Sequence, residues 1–187
     1  MTGSTLAIAL GANLGDPAAT LTTVRPRLQA LLAAWGGEPL ARRCRWSPLF
    51  RTAPVGGPPD QPAYVNAVLV AGPLPVSTPD PRALLEALLA LERAFGRVRG
   101  ERWGPRLLDL DLLWCGTCRL QEPALELPHP RLAQRSFVLK PLAAIDPALC
   151  PPGGKGAPAP SVAQLLARLE AVEPPPRRLP PRPGWPE

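Results

Sequence analysis

The sequence contains one histidine, one tyrosine, one methionine and only two lysines, Lys140 and Lys155, among 187 residues. A single histidine, His129, excludes multi-histidine zinc sites and leaves no second imidazole for histidine-paired nucleophile schemes. No long apolar run is present either. The stretch Leu6–Leu10 is far too short for a signal core or a membrane span, and no charged leader precedes it. Cys44, Cys115, Cys118 and Cys150 form no disulfide framework for a chain of this size, which predicts a reducing, cytoplasmic setting.

What remains is arginine and proline. The net charge of +6 is carried almost wholly by arginine, whose planar fork of donors matches phosphate oxygens. An anionic partner is therefore expected: a nucleotide, a nucleic acid or a membrane surface. A high-G+C genome would also favour arginine over lysine, so charge alone does not choose. Proline occurs 29 times, about three times its usual share of roughly 5%. Many prolines fall in loops and in the last quarter of the chain, where they stiffen connections rather than define a repeat.

Hydrophobic periodicity places the elements. Leu6–Leu10 reads as a buried strand ended by GANLG, and Asp16-Pro17 as a cap and first helical position. A helix is expected to Trp35, kinked or divided at Pro26. Residues 42–51 and Tyr64–Val70 read as strands, separated by a Pro/Gly-rich loop. Pro81 to Phe95 reads as a helix with Leu84, Leu85, Leu88 and Leu91 on one face. Leu107–Trp114 and Cys118–Leu120 read as strands, His129–Arg135 as a helical turn and Phe137–Leu139 as a short extended piece. Residues 1–150 are read as one domain. Beyond it come a Pro/Gly-rich linker, a helix over Ser161–Val172 and a mobile proline-rich tail over 174–187. The order β-α-β-β-α-β predicts a ferredoxin-like α/β (α+β) fold, a mostly antiparallel sheet packed with helices.

The chemistry concentrates in GRVRGERWGPRLLDLDL, residues 96–112. Asp109 and Asp111 are two apart on a strand, so both carboxylates leave one face while Leu108, Leu110 and Leu112 enter the core. Adjacent carboxylates repel, and a shared divalent cation removes the conflict; magnesium suits one or two carboxylates plus substrate phosphates. The alternative is a solvent-facing edge strand with two unrelated acids. Arg97, Arg99, Arg102 and Arg106 lie just upstream, and a triphosphate would fill the space between four guanidinium groups. The alternative there is a solvated basic loop. Together the basic loop and the acidic pair favour ATP with magnesium. Trp103 packs either on a substrate ring or on the protein's own core. His129, flanked by prolines and followed by Arg131 and Arg135, is structural or a phosphate contact. Cys115-Gly-Thr-Cys118 has C-x-x-C spacing but no second pair and no following helix, so it is read as an inert turn.

Four ordered blocks, ALGANLGD (9–16), FRTAPVGGPPDQPAYVNAV (50–68), GRVRGERWGPRLLDLDLL (96–113) and LPHPRLAQRSFVLKPLAAIDP (127–147), resemble the 6-hydroxymethyl-7,8-dihydropterin pyrophosphokinase family. The resemblance covers roughly residues 5–150. It implies transfer of pyrophosphate from ATP to the hydroxymethyl-pterin, with release of AMP, in folate biosynthesis. Position by position, it implies two magnesium ions on Asp109 and Asp111, and catalytic roles for these acids and for Arg97 and Arg106. ATP contacts are implied for Glu92, Arg97, Arg99, Arg102, Trp103, Arg106, His129 and Arg135. The pterin is implied to lie between Tyr64 and Phe137, its polar edge met by Thr52, Asn66 and the backbone near Val55, with Trp103 closing over it. The chain departs from some relatives in a basic loop one residue shorter, and at Ala53, Leu89 and Pro130. A loop over residues 97–106 that is open when empty and closed when loaded is expected.

An RNA-binding module would share the fold, the basic surface and exposed aromatics, but the aromatic-rich strand signature is missing and the acidic pair would be unexplained. No nucleic-acid or membrane partner is therefore expected. The chain is expected to be a monomer, with a small oligomer as the alternative.

Overall fold

The computed structural model describes residues 5–97, 104–152, 159–170 and 174–186. Strand β1 (Leu6–Ala12) leads through a turn into helix α1 (Pro17–Gly36), where Asp16 Oδ1 accepts the Ala19 N–H at 2.9 Å. Pro26 was expected to kink or divide this helix; it does not divide it, and α1 is one element of 20 residues. Leu21, Val24, Leu28 and Leu32 recur at helical spacing and are fully buried, so packing on the sheet outweighs the one backbone bond that proline removes. Gly37, at φ 90°, ends the helix, and its N–H reaches Ala33 O at 2.9 Å.

A four-residue helix, α2 (Glu38–Ala41), precedes the extended region expected at 42–51. That region is two strands, β2 (Cys44–Trp46) and β3 (Phe50–Thr52). Ser47-Pro48-Leu49 interrupts them, since proline has no N–H for the ladder. Then follow β4 (Tyr64–Ala71), α3 (Pro81–Ala94) and β5 (Asp109–Cys115).

The sheet order is β5-β1-β4-β3-β8, with β2 also on β4 and β8 formed by Arg177–Arg178. All of its pairings are antiparallel. The fold is ferredoxin-like, as the order of elements predicted. Strand alternation divides the side chains between two cores. Leu6, Ile8, Leu10, Ala67, Leu69, Leu110 and Leu112 pack against α1 and α3. Ala7, Val68, Val70, Leu113 and Trp114 face the opposite layer, made by α4 (Ser136–Ile145) and α5 (Val162–Glu170). A register shift between Ala7 and Ile8 places both Leu113 and Trp114 on that second side.

Other expectations are corrected. The strand expected at Cys118–Leu120 lies at Leu120–Gln121 (β6) and pairs with Glu126–Leu127 (β7). Residues 137–139 are not extended; they open α4. Val138, Leu139 and Leu142 are fully buried at helical spacing, a pattern that Pro141 inside the helix conceals in the sequence. The helical turn expected at 129–135 is a 3₁₀ turn over Leu132–Gln134. The described part of the tail is also not a loose end: β8 pairs with β3, and Trp185 is buried. An arginine strand of two residues among prolines gives no hydrophobic pattern from which to foresee this.

Candidate active site

Above the centre of the sheet, on the face covered further along by α4, lies a cavity of about 550 Å³. Its floor is the stretch of β1 where Ala9 and Gly11 replace bulky residues. Gly11 pairs with Asp109 on one side and Asn66 on the other, and Ala9 pairs with Asp111. Because β5 alternates, Asp109 and Asp111 both line the cavity while Leu108, Leu110 and Leu112 are buried beneath, as the D-x-D spacing predicted.

Three arginines converge on this pair. Arg97 and Arg106 each donate through Nη1 to Asp109 Oδ1 at 2.8 Å. Arg135 Nη1 donates to Asp111 Oδ2 at 2.7 Å. Burial, and the neighbouring Asp111 charge, raise the Asp109 carboxyl above its ordinary range, while Arg106 and Arg97 oppose the shift. The donor set is hard oxygen, compressed like charge lines a cavity, and each acid keeps one oxygen outside these ion pairs. Such a set suits a magnesium-type cation. Among the described residues there is no group of three or more His, Cys, Asp or Glu that could hold a metal, so such an ion would need further oxygen ligands from water or a substrate.

The opposite wall is uncharged. Thr52, Val55, Tyr64, Asn66 and Phe137 line it. Asn66 is buried and its Nδ2 donates to Thr52 Oγ1 at 2.7 Å, which orients the amide. Tyr64 donates its hydroxyl to Gly104 O at 3.2 Å, and burial raises its pKa. The Arg135 guanidinium stands 5.5 Å from the Phe137 ring centroid, so one arginine touches both the acidic and the aromatic wall.

Three predicted residues sit outside the lining: Arg97, which reaches Asp109 from the side of α3, Glu92 and His129. Glu92 is 1% exposed and lies beneath the site, where its carboxylate accepts the Leu110 N–H at 2.6 Å and a bond from Arg97. His129 is absent from the lining; its backbone N–H donates to Leu113 O at 2.8 Å, and its Nδ1 accepts the Arg131 N–H at 3.1 Å. Burial, followed by the Arg135 charge, lowers its pKa. Arg99, Arg102 and Trp103 lie outside the described residues.

Sequence reasoning gave no role to Gly11 or Asn13. Buried Asn13 accepts the Arg106 N–H at its Oδ1 (2.7 Å) and donates from Nδ2 to Pro62 O (3.1 Å). Asn13 N–H and Leu14 N–H both donate back to Arg106 O, at 3.0 and 3.3 Å. Gly11 lies near the end of β1 and Asn13 directly follows that strand; an asparagine directly after a strand was the available signal.

The site thus sets an arginine-bound acidic pair opposite an aromatic and amide wall on a ferredoxin-like sheet. The family model for 7,8-dihydro-6-hydroxymethylpterin-pyrophosphokinase matches residues 7–147. The chain is 42% identical over 168 residues to the 2-amino-4-hydroxy-6-hydroxymethyldihydropteridine pyrophosphokinase of Pseudomonas aeruginosa, covering 89% of this chain and 93% of the relative. It is 40% identical over 166 residues to the protein of the same name from Synechocystis, with 88% and 76% covered. A crystal structure of Plasmodium falciparum HPPK-DHPS shares the fold, with a TM-score of 0.57 at 12% identity, over 89% of this chain and 45% of that one. The chain belongs to the 7,8-dihydro-6-hydroxymethylpterin-pyrophosphokinase family.

Proposed function

We infer that this protein transfers pyrophosphate from ATP to 6-hydroxymethyl-7,8-dihydropterin, releasing AMP, as a step of folate biosynthesis. The observation that carries the reading is the two-walled cavity, with carboxylates and arginines on one wall and aromatic and amide groups on the other, in a chain of this family. The pterin hydroxymethyl oxygen attacks the β-phosphorus of ATP. The bond from that phosphorus to the α–β bridging oxygen breaks, and AMP departs with its electron pair.

Each wall has its part in this. Tyr64 and Phe137 hold the pterin ring, and Asn66, Thr52 and the backbone at Val55 take its polar edge. Arg97, Arg106 and Arg135 exchange carboxylate partners for phosphate oxygens, and so meet the charge that develops as the bridge breaks. Asp109 and Asp111 would hold magnesium, as two ions, which would supply neutralisation of phosphate charge and a more acidic attacking hydroxyl. Arg99, Arg102 and Trp103 complete the nucleotide side. Glu92 and His129 act from behind the cavity, through Arg97 and through the segment that carries Arg135. Residues 1–150 carry the transferase and the rest of the chain supports it. A monomer in the cytoplasm fits the free cysteines, and no helix among the described residues is long and apolar enough to cross a membrane.

The test is AMP release from ATP and magnesium, with and without the reduced hydroxymethyl-pterin. Pterin-dependent AMP is expected, and Asp109→Asn should lower turnover by about a hundredfold or more. A folded wild-type chain that releases no AMP would sink the reading.

A further inference from the structure

The last described segment grips the strand that presents Thr52. Strand β3 is three residues long and pairs with β4 on one side only through Phe50, Arg51 and Thr52. Its other edge is taken by β8, with Arg178 opposite Phe50 and Arg177 opposite Arg51. Leu179 N–H extends the ladder to Leu49 O at 2.8 Å. Six residues further on, Trp185 is 7% exposed, sits edge-on to Trp46 at 5.5 Å between centroids, and donates Nε1–H to Ser47 O at 2.8 Å.

Ser47 is where β2 gives way to β3, and it is fully buried. Val68 of β4 holds it from one side, through Ser47 N–H to Val68 O and Val68 N–H to Ser47 Oγ, both 2.9 Å. Trp185 holds it from the other. The tail is tied to α1 as well: Arg25 Nε donates to Gly184 O at 3.1 Å, and Arg182 Nη2 to Asp16 Oδ2 at 3.3 Å. Short strands without a second partner fray, and their register is weakly specified. Here the partner comes from the far end of the chain, and the strand it secures ends in the hydroxyl that orients Asn66.

We propose that residues 177–185 form a clasp on β3 that positions Thr52 and Asn66 for the pterin, with Trp185 as the positioning residue. The proposal rests on the functional reading above. The clasp reaches the uncharged wall through β3, which carries Thr52, so its effect is expected on the pterin rather than on ATP.

The experiment measures KM for each substrate in the full-length chain carrying Trp185→Ala, Trp185→Phe or Leu179→Pro. Trp185→Ala and Leu179→Pro should each raise the pterin KM about fivefold or more while the ATP KM stays within about twofold. Trp185→Phe keeps the ring against Trp46 and loses only the bond to Ser47, so it should recover most of the pterin affinity. Should Trp185→Ala not fold, Leu179→Pro, which removes the N–H that bonds Leu49 O, decides. An unchanged pterin KM in Trp185→Ala and Leu179→Pro, or equal shifts for both substrates in either, overturns the clasp. Wild-type turnover is the control: its absence would sink the functional reading, whereas normal wild-type turnover with unshifted variants sinks the clasp alone.

Discussion

The carboxylate of Glu92, on α3, accepts the backbone N–H of Leu110, the residue between the two acids of β5, at 2.6 Å. The same oxygen receives Arg97, which bridges onward to Asp109. A side chain implied to touch nucleotide thus works from beneath the site, fixing the strand that carries the acids and the arginine that meets them. Glu92→Ala would leave a buried N–H unpaired, at about 1–3 kcal/mol, and would free Arg97. Chemical denaturation should show that loss, and turnover should fall about tenfold or more. Glu92→Gln retains an acceptor for Leu110 and should recover more stability than turnover. Equal recovery of both would refute the link through Arg97.

Gly11 is where the two walls meet. A Cβ there would stand 3.0 Å from Asn66 Oδ1 and 3.9 Å from Tyr64 Cδ1, within the uncharged wall. Gly11→Ala must therefore displace the amide that Thr52 orients. The pterin KM should rise about tenfold, with the ATP KM little altered, in steady-state assays varying one substrate at a time.

His129 gives a pH signature of defined sign. Its Nδ1 accepts the Arg131 N–H, so a proton at that atom would abolish the bond. Burial, and then the nearby Arg135 charge, disfavour the imidazolium and outweigh the opposing pull of Asp111. The folded pKa lies below the ordinary 6.5, so the unfolded chain takes up the proton first as the pH falls. Stability attributable to His129 is complete above 6.5 and is lost between that value and the folded pKa. The gap in unfolding free energy between wild type and His129→Gln should therefore be smaller at pH 5.5 than at pH 7.5. A gap independent of pH would contradict this assignment.

Much of the site was legible because its chemistry is local. Asp109 and Asp111 needed only strand alternation to share a face, and Arg106 lies three residues before the first of them. Asn66 and Tyr64 also sit two apart on one strand and reach the same wall. What stayed hidden depends on tertiary contacts. Pro26 looked like a break, but buried leucines at helical spacing carry α1 through it, and 137–139 looked extended although they open α4. Gly11 matters only because β1 runs between β4 and β5. Trp185 was read as part of a mobile tail because its partners, Trp46 and Ser47, are some 140 residues earlier, a separation of 138 in the case of Ser47.

The Cys115–Cys118 turn tests the assignment of chemistry to the other end of β5. Burial, with Cys118 beside it, pushes the Cys115 thiol up to about 12, so it holds little thiolate at neutral pH. Cys115→Ala and Cys118→Ser should keep turnover within about twofold of wild type, the first losing about 1 kcal/mol of stability through its vacated space. Activity that falls on chelation of zinc, with magnesium in excess, would instead give this turn a role.

Asn13 joins the two walls from outside the cavity. Its Oδ1 accepts Arg106 N–H on the charged side, and its Nδ2 donates to Pro62 O, two residues before Tyr64. Asn13→Ala removes both bonds, so that the Arg106 N–H and the Pro62 carbonyl lose this partner. It should lower kcat/KM for ATP and for the pterin alike, by about tenfold or more. Asn13→Asp keeps the acceptor for Arg106 but sets a carboxylate oxygen against the Pro62 carbonyl. Its defect should fall mainly on the pterin, because only the connection to the Tyr64 strand is broken. If the aspartate variant instead weakened ATP and spared the pterin, Asn13 would be a support for Arg106 alone, with no part in joining the nucleotide wall to the ring wall.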